Sequence, residues 1–285
     1  VTATRQATRA NELMADVTVI DREEIEQAGQ TSIEQLLSRQ PGIQYTANGG
    51  PGTNSGVFIR GASPKQSIVL IDGQRFGSAT TGDATFSRIP LSQIDRIEIL
   101  RGPASSLYGA DAIGGVIQIF TKKGDGEPRL NASTGIGTYN TSDTSVGISG
   151  SNEIVSYSLQ AGHYSTDGVS AIHNKSSSSY NPDRDGYRND SLSGSLAVRP
   201  TSGHEIGINF LASDGTSRYD STPKARDFKS DQDVAAYSIY SRNKLHQNWT
   251  STVRLGRSTD DLTTLRSGTK LSEFNTTQDQ FSWQN

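Results

Sequence analysis

The acidic segment from Asn181 to Gly186, with the sequence Asn-Pro-Asp-Arg-Asp-Gly, has the residue types and spacing of a metal-binding loop. It matches the first half of an EF-hand calcium loop, with oxygen donors at alternate positions and a glycine where the chain must turn. The twelfth position of that template requires glutamate, and here it holds Leu192. The segment alone would therefore form an incomplete cage, and a metal would need further oxygen donors from elsewhere in the chain.

The next acidic stretch along the chain, Tyr219-Asp220 together with Asp227, could supply those donors. In an antiparallel meander every second connection emerges at the same end, so the two stretches are predicted to lie side by side. Carboxylates gathered there would repel one another without a cation, and calcium prefers six to eight oxygen ligands. The sequence therefore predicts a calcium site, with an ordinary solvated acidic loop as the alternative. The candidate ligands are Asn181, Asp183, Asp185, the carbonyl of Tyr219, Asp220 and Asp227.

The remaining residues that could carry chemistry form no recognisable catalytic arrangement. The sequence has no cysteine, its four histidines lack ligand spacing, and no Ser/His/Asp or paired-carboxylate constellation stands out. Gly49-Gly-Pro-Gly52 lacks the lysine and the following helix of a phosphate-binding loop, so it is interpreted as a flexible loop. A net charge of -3 lacks the basic excess that nucleic-acid binding requires. We expect neither an enzyme nor a nucleic-acid-binding protein.

The elements that position the acidic stretches are predicted to be β-strands. From Arg129 onward, apolar residues alternate with Ser, Thr, Gly, Asn and Gln, and about eight strands are expected. Short turns alternate with long connections along this region. The long connections are predicted at 166–188, 214–231 and 260–275, and their alternation places them all at one end of the sheet. The face opposite the apolar residues is mostly small and uncharged. This pattern favours a transmembrane β-barrel over a soluble β-sandwich, which is the alternative.

The first part of the chain has a different pattern. Asp21 and Thr31 each stand three residues ahead of a glutamate, which predicts two short capped helices, ended by Gly29 and Pro41. Apolar runs typical of buried strands follow them. The sequence therefore predicts an α+β domain at residues 1–123, followed by a strand region at residues 124–285.

Several motifs of the first domain carry a family resemblance. They are Pro41-Gly42-Ile43, the segment from Val57 to Gly61, the segment from Val69 to Arg75, and the long run from Ile94 to Ile119. They resemble the plug domain of TonB-dependent outer-membrane receptors, and the resemblance covers nearly all of residues 1–123. Within that family the chain is most similar to cobalamin (vitamin B12) transporters. The resemblance implies an α+β plug inside a large antiparallel transmembrane β-barrel of the 22-stranded type, in the outer membrane of a Gram-negative bacterium.

The size of such a barrel has a consequence for the chain. About 22 strands surround a plugged lumen, whereas an eight-stranded barrel is filled by its own side chains. We therefore expect residues 124–285 to form only the first eight or so strands of a truncated barrel. Val1, Thr2 and Ala3 resemble the last residues of the TonB box, the segment that couples the receptor to TonB.

The function implied by the resemblance is TonB-dependent active transport of a large, scarce ligand, with cobalamin favoured. TonB and its inner-membrane motor proteins would be the partners, and outer-membrane lipid the surroundings. Energy must come from these proteins because a tightly held ligand is released only when work is done on its site. The alternatives are a receptor for a ferric siderophore or haem, and a non-transporting surface binding protein.

Individual residues receive roles from the same resemblance. Calcium agrees with it, although Ser170 stands where the family has a further aspartate, with Asp167 nearby. Three arginines beside β-turns are predicted to pair with carboxylates of the barrel wall. These are Arg60, Arg75 and Arg101. The ligand contacts implied at the plug apices are Asn54, Gly56, Ser63, Thr81 and Gly82.

Overall fold

The computed structural model describes residues 15–78, 82–109 and 111–285. Val1, Thr2, Ala3 and Thr81, all predicted site residues, lie outside this part of the chain. The described residues form an α/β region followed by an eight-stranded antiparallel meander. No described helix is both long and apolar enough to cross a membrane.

The N-terminal region combines short helices with short strands. Its described helices are α1 (Arg22–Gln27), α2 (Ile33–Ser38) and α3 (Ser105–Tyr108). Its described strands are β1 (Asp16–Ile20), β2 (Ile43–Ala47), β3 (Ser55–Ile59), β4 (Ser67–Ile71), β5 (Gln74–Arg75), β6 (Ile94–Arg101) and β7 (Gly115–Thr121). Single 3-10 turns at Pro64–Gln66, Phe86–Arg88 and Leu91–Gln93 join them.

Five of these strands make one sheet in the order β1-β6-β7-β4-β5, and β2 pairs with β3 in a separate hairpin. Strands β4 and β7 run parallel, and the other pairs are antiparallel. The predicted apolar runs fill its core, where Ile97, Ile99 and Ile119 have no exposed surface. Leu36 and Leu37 of α2 join the same core, as the apolar face of that helix predicts.

The two predicted helix starts differ in accuracy. α1 is capped by Asp21, as predicted, because its carboxylate accepts a hydrogen bond from the Glu24 amide at 2.9 Å. α2 is capped by Ser32, whose hydroxyl accepts from the Gln35 amide at 3.3 Å. The prediction of Thr31 was therefore wrong by one residue. Ser32 has the extended backbone that aims a cap side chain at the amide three residues ahead.

The C-terminal region is a meander in which each strand pairs with the next one along the chain. Its strands are β8 (Arg129–Gly137), β9 (Thr141–Ser151), β10 (Val155–Thr166), β11 (Tyr187–Thr201), β12 (His204–Tyr219), β13 (Phe228–His246), β14 (Trp249–Arg266) and β15 (Thr269–Gln284). The connections at 138–140, 167–186, 220–227 and 267–268 share one end of the sheet. We call this end the loop end.

One predicted long connection is absent from the sheet. β14 and β15 pair as far as Arg266 and Thr269 and meet in the turn Ser267-Gly268, so the expectation of a loop at 260–275 was wrong. Residue Asp260, where the predicted loop begins, lies within β14. Asp260 is buried and accepts a hydrogen bond from the Thr85 hydroxyl at 2.8 Å, so its carboxylate is satisfied inside the strand region.

The two faces of the eight-stranded sheet have reversed polarity compared with a water-soluble protein. The face toward the N-terminal region buries small or polar side chains, each at most 4% exposed: Ser158, Gln160, Asn189, Ser193 and Asn209. The opposite face carries large apolar side chains such as Ile239, Leu255 and Phe281, which are 49–65% exposed. A sheet in water would bury these side chains, whereas lipid solvates them.

The N-terminal region packs against the polar face. Gln93 donates to the Ser191 hydroxyl at 2.9 Å, and the backbone amide of Arg75 donates to the Gln280 side chain at 2.9 Å. Leu211 of β12 belongs to the same apolar cluster as the core of the N-terminal region. The sheet therefore forms a curved wall around one side of this region.

Candidate functional site

Three predicted calcium ligands meet at the loop end of the wall. Asp183 and Asp185 lie on the connection between β10 and β11, and Asp220 begins the connection between β12 and β13. One carboxylate oxygen from each lies within 4.8 Å of the others. The meander brings the two connections together because both leave the same end of neighbouring strands.

Hydrogen bonds from the loop backbone hold two of these carboxylates. The Ala171 amide donates to Asp185 Oδ2 at 2.9 Å, and the Ile172 amide donates to Asp220 Oδ2 at 3.3 Å. The other oxygens differ, because Asp183 Oδ1 and Asp220 Oδ1 are buried without a hydrogen-bond partner among the described residues. Buried carboxylate oxygens are normally satisfied, so this pair has the chemistry to bind a cation.

The electrostatics of the cluster point the same way. Burial, followed by the neighbouring Asp220 and Asp183 carboxylates, raises the pKa of Asp185 to about 6. Burial and the Asp220 carboxylate also raise the pKa of Asp183. Both shifts reflect the cost of placing negative charges together away from water, and a divalent cation would remove that cost.

The other predicted ligands lie around the cluster. Asp227 is close enough for its charge to contribute to the raised pKa of Asp183, although it also lies 4.0 Å from Arg218. The Tyr219 ring packs against Phe228 at 5.8 Å between ring centres. Asn181 directs its amide to the Arg226 carbonyl at 3.4 Å. The cluster therefore has a core of three carboxylates and a surrounding group of possible oxygen donors.

Ser170, where the family pattern has an aspartate, takes part in this arrangement. Its hydroxyl lies 3.2 Å from Asp220 Oδ2 and 3.1 Å from the Asn181 carbonyl. The nearby Asp167 instead pairs with Arg184 at 3.0 Å. Ser170 thus lies within hydrogen-bond distance of both acidic stretches, can donate its one proton to either, and adds no charge.

The described residues implied to contact the ligand lie close together in the N-terminal region. A Cβ placed on Gly56 would lie 2.9 Å from Pro64, and one on Gly82 would lie 3.1 Å from Lys65. The segment that starts at Ser63 therefore lies between them. Asn54 is exposed on the connection between β2 and β3. Of the five implied contacts, Asn54, Ser63 and Gly82 lie on loops and Gly56 lies at the start of β3, and their role stays a prediction.

Among the described residues, the three arginines predicted to pair with wall carboxylates pair with carboxylates of the N-terminal region, and their contact with the rest of the wall stays a prediction. Arg101 reaches Asp16 at 3.1 Å, because β1 pairs with β6 and places these two residues directly opposite each other. Arg60 also contacts Asp16, and Arg75 contacts Asp111. All three guanidinium groups therefore pair inside the N-terminal region.

The contacts that do join this region to the wall involve residues that sequence reasoning missed. The central one is Arg88, which has no exposed surface and lies 5.2 Å from the centre of the Tyr187 ring. Asp260 and Gln232 bind the Thr85 hydroxyl. Strand alternation could have placed Asp260 on the inner face with Ser258, but no sequence signal singles out Arg88.

Comparison with known proteins places the chain in a family. Residues 9–116 match the family described as TonB-dependent Receptor Plug Domain. The vitamin B12 transporter BtuB of Vibrio cholerae is 32% identical over 262 residues, which cover 90% of this chain and 42% of that protein. BtuB of Photobacterium profundum is 31% identical over 291 residues, covering 100% of this chain and 46% of that protein.

The chain belongs to the family of TonB-dependent receptors, which are outer-membrane proteins of Gram-negative bacteria. Within that family it is a BtuB-like receptor, and it spans less than half the length of the curated relatives it matches. The N-terminal region is accordingly the plug.

Solved structures show the same fold. The ferric yersiniabactin uptake receptor FyuA of Yersinia pestis superposes with a TM-score of 0.78 at 18% identity, over 98% of this chain and 47% of that one. The ferric enterobactin receptor PfeA of Pseudomonas aeruginosa gives 0.70 at 21% identity, over 93% of this chain and 45% of that one. At these identities the likeness concerns the fold, a plug beside a sheet of antiparallel strands.

Proposed function

We propose that this chain is part of a transporter that carries cobalamin across the outer membrane with energy supplied through TonB. The observation that carries the proposal is the plug packed against the polar face of a sheet whose other face is apolar. This arrangement suits a ligand path on the inside and lipid on the outside. Cobalamin is the ligand named for the curated relatives that are 31–32% identical.

The complete receptor is proposed to have a barrel of the 22-stranded type, with the plug at residues 1–123 and the barrel from residue 124. Two observations support this assignment. The whole chain, with its eight described wall strands, covers 42% of the length of a relative. The last plug strand ends at Thr121 and the first wall strand begins at Arg129, on either side of the proposed boundary.

Calcium is proposed as the cation of the acidic cluster. Calcium ligands lie about 2.3 to 2.6 Å from the ion, so oxygens on opposite sides of it are roughly 5 Å apart. Oxygens of Asp183, Asp185 and Asp220 lie within 4.8 Å of one another, which fits this size. The buried oxygens without a hydrogen-bond partner also suit a cation. Asn181, Asp227 and the Tyr219 carbonyl are the proposed additional ligands. The bound ion would fix the two loops against each other by neutralising their charge.

The remaining roles follow the same scheme. The loop end of the wall and five plug residues are proposed to contact the ligand: Asn54, Gly56, Ser63, Thr81 and Gly82. Val1, Thr2 and Ala3 are proposed to belong to the segment that TonB and its inner-membrane motor proteins pull. The relatives are transporters and receptors, and no enzymatic role is proposed.

Two measurements test the transport proposal. The complete gene should restore growth on cyanocobalamin to a receptor-deficient strain, and deletion of the TonB segment should abolish this rescue. The purified receptor should bind cyanocobalamin tightly with calcium and more weakly with a chelator. Rescue that survives the deletion, or cyanocobalamin binding that a chelator leaves unchanged, would contradict the corresponding part of the proposal.

The same binding and growth assays distinguish cobalamin transport from the two alternative functions. Tight binding of a ferric siderophore or haem in place of cyanocobalamin would move the receptor to another ligand class within the family. Ligand binding without any uptake would indicate a surface binding protein.

A further inference from the structure

The acidic loop and the plug meet at one residue, Tyr187, which directly follows the loop and begins β11. Its side chain is buried at 7% exposure. Its hydroxyl donates a hydrogen bond to the Ser87 carbonyl of the plug at 2.5 Å. The Tyr187 ring also lies beside the Arg88 guanidinium, with 5.2 Å between the ring centre and Cζ. The chain that carries Asp183 and Asp185 is thus tied to the plug turn at 84–88 within two residues of the cluster.

The backbone around this contact leaves room only for glycine at two positions. Gly52 has a φ of +77°, and a Cβ there would lie 2.1 Å from the Tyr187 ring. A Cβ on Gly215 of β12 would lie 2.0 Å from Nη1 of Arg88. Gly52 belongs to the glycine-rich segment at 49–52, so this segment lets the plug approach the ring. The tyrosine and the arginine are therefore enclosed from both the plug and the wall.

The state of Arg88 is unusual for a residue that only fills space. Its side chain has no exposed surface, and none of its three guanidinium nitrogens has a hydrogen-bond acceptor among the described residues. A buried charge needs compensation, and here the tyrosine ring supplies a favourable cation–π contact while the Asp233 carboxylate supplies an attractive charge. The position of Arg88 thus depends on Tyr187, which in turn follows the acidic loop.

A second contact connects the same elements. The plug segment at 49–52 reaches the loop, because a Cβ on Gly49 would lie 3.7 Å from the Ala171 side chain. The Ala171 amide is the group that binds Asp185 Oδ2. A shift of Asp185 would therefore move both the loop segment at Ala171 and the start of β11 against the plug.

We propose that Tyr187 and Arg88 are positioning residues that couple the cation site of the loop to the plug. A cation at Asp183, Asp185 and Asp220 orders the loop, the loop holds the Tyr187 ring in place, and the ring holds the turn at 84–88. Because coupling between sites is reciprocal, a plug substitution at Arg88 must also change the affinity for the cation. This inference rests on the calcium site proposed above.

The test uses the full-length receptor in detergent and reads binding and coupling separately. Calcium affinity is measured by titration calorimetry for the wild type, Arg88→Lys and Tyr187→Phe. Lysine keeps the charge but lacks the planar group, and phenylalanine keeps the ring but loses the bond to Ser87. The matched controls are Arg75→Lys, at a plug arginine that pairs with Asp111 and not with Tyr187, and Tyr237→Phe, on the outer face of the wall.

We expect Arg88→Lys and Tyr187→Phe to weaken calcium binding by about fivefold to tenfold, at the low end of the usual range of coupling between sites. The controls should bind like the wild type. Hydrogen exchange of the turn at 84–88 should slow on addition of calcium in the wild type and respond less in the two variants. Unchanged calcium affinity in both folded variants would overturn the proposal.

The calcium-free protein separates the two proposals. If the wild type binds no calcium, the calcium site is wrong. The coupling between the plug and the loop is then measured by hydrogen exchange of the loop at 167–186 alone. Arg88→Lys should still accelerate exchange in that loop, although the substitution lies in the plug. Loop exchange equal to that of the wild type would overturn the coupling itself.

Discussion

The plug and the wall use strand alternation in opposite senses. In the plug, Ile97 and Ile99 have no exposed surface. In the wall, Ile239 and Leu255 are about half exposed, whereas Ser158 and Ser193 are buried against the plug. The same residue types therefore occupy reversed positions in two sheets of one chain.

The difference shows which solvent each region was selected for. The plug obtains its stability as water-soluble domains do, by removing apolar side chains from water. The wall cannot do so, because its apolar side chains face lipid, and it relies on long, continuous backbone pairing that leaves few polar groups unsatisfied. Substitutions of matched chemistry should therefore have unequal effects in the two regions.

The largest expected effect is in the plug core. Ile97→Ala should lower the free energy of unfolding of the plug by about 2 to 5 kcal/mol, since it removes buried methyl groups and leaves a cavity. Ile239→Ala on the outer face of the wall should have a much smaller effect, because lipid fills the space. Urea titration followed by hydrogen exchange in each region measures both. Equal losses of stability in the two regions would contradict the view that the plug core and the outer face of the wall have different surroundings.

A charge on the outer face tests the lipid contact directly. Ile239→Lys should reduce the stability of the receptor in bilayers by about 2 to 4 kcal/mol, the range for a lysine near the middle of the membrane. Leu245→Lys on the same strand lies near the turn at 247–248 and should cost less than about 1 kcal/mol. The folded fraction in vesicles is the readout. A tolerated Ile239→Lys would indicate that this face does not meet lipid.

The acidic cluster should respond to pH. A carboxylate with a raised pKa stabilises the metal-free fold in its protonated form, and this contribution is lost as the pH rises from about 4 through 6. Calcium requires the ionised form, so its affinity should fall about tenfold between pH 7 and pH 5 as Asp185 takes up a proton. Calorimetry across this range checks the prediction. In Asp185→Asn, affinity should be lower throughout and depend less on pH.

The smallest expected effect concerns the start of α2. Ser32→Ala should destabilise the plug by about 1 kcal/mol, because it removes the side chain that caps the Gln35 amide. Thr31→Ala should have less effect, since the Thr31 hydroxyl contacts only the Gln35 side chain. Urea titration of the plug compares the two variants. A larger loss of stability for Thr31→Ala would indicate that Thr31, and not Ser32, caps the helix.

Sequence reasoning succeeded where the signal was local or periodic. Asp21 caps its helix through an amide three residues away, and alternation in β10 predicted the faces of that strand. The pairing of the two acidic stretches also followed, because a meander fixes which connections share an end. The predicted loop at 260–275 was wrong, because Asp260 lies in strand β14.

By itself, then, the sequence determined the plug fold, the strand pattern of the wall and the three carboxylates of the cluster, since each depends on spacing along the chain. Only the tertiary structure decided that Arg60, Arg75 and Arg101 pair within the plug, and that Arg88 lies buried beside Tyr187. The partner of an arginine depends on which surfaces meet after folding. Ser87 and Tyr187 are about a hundred positions apart, and no pattern in the sequence predicts their contact.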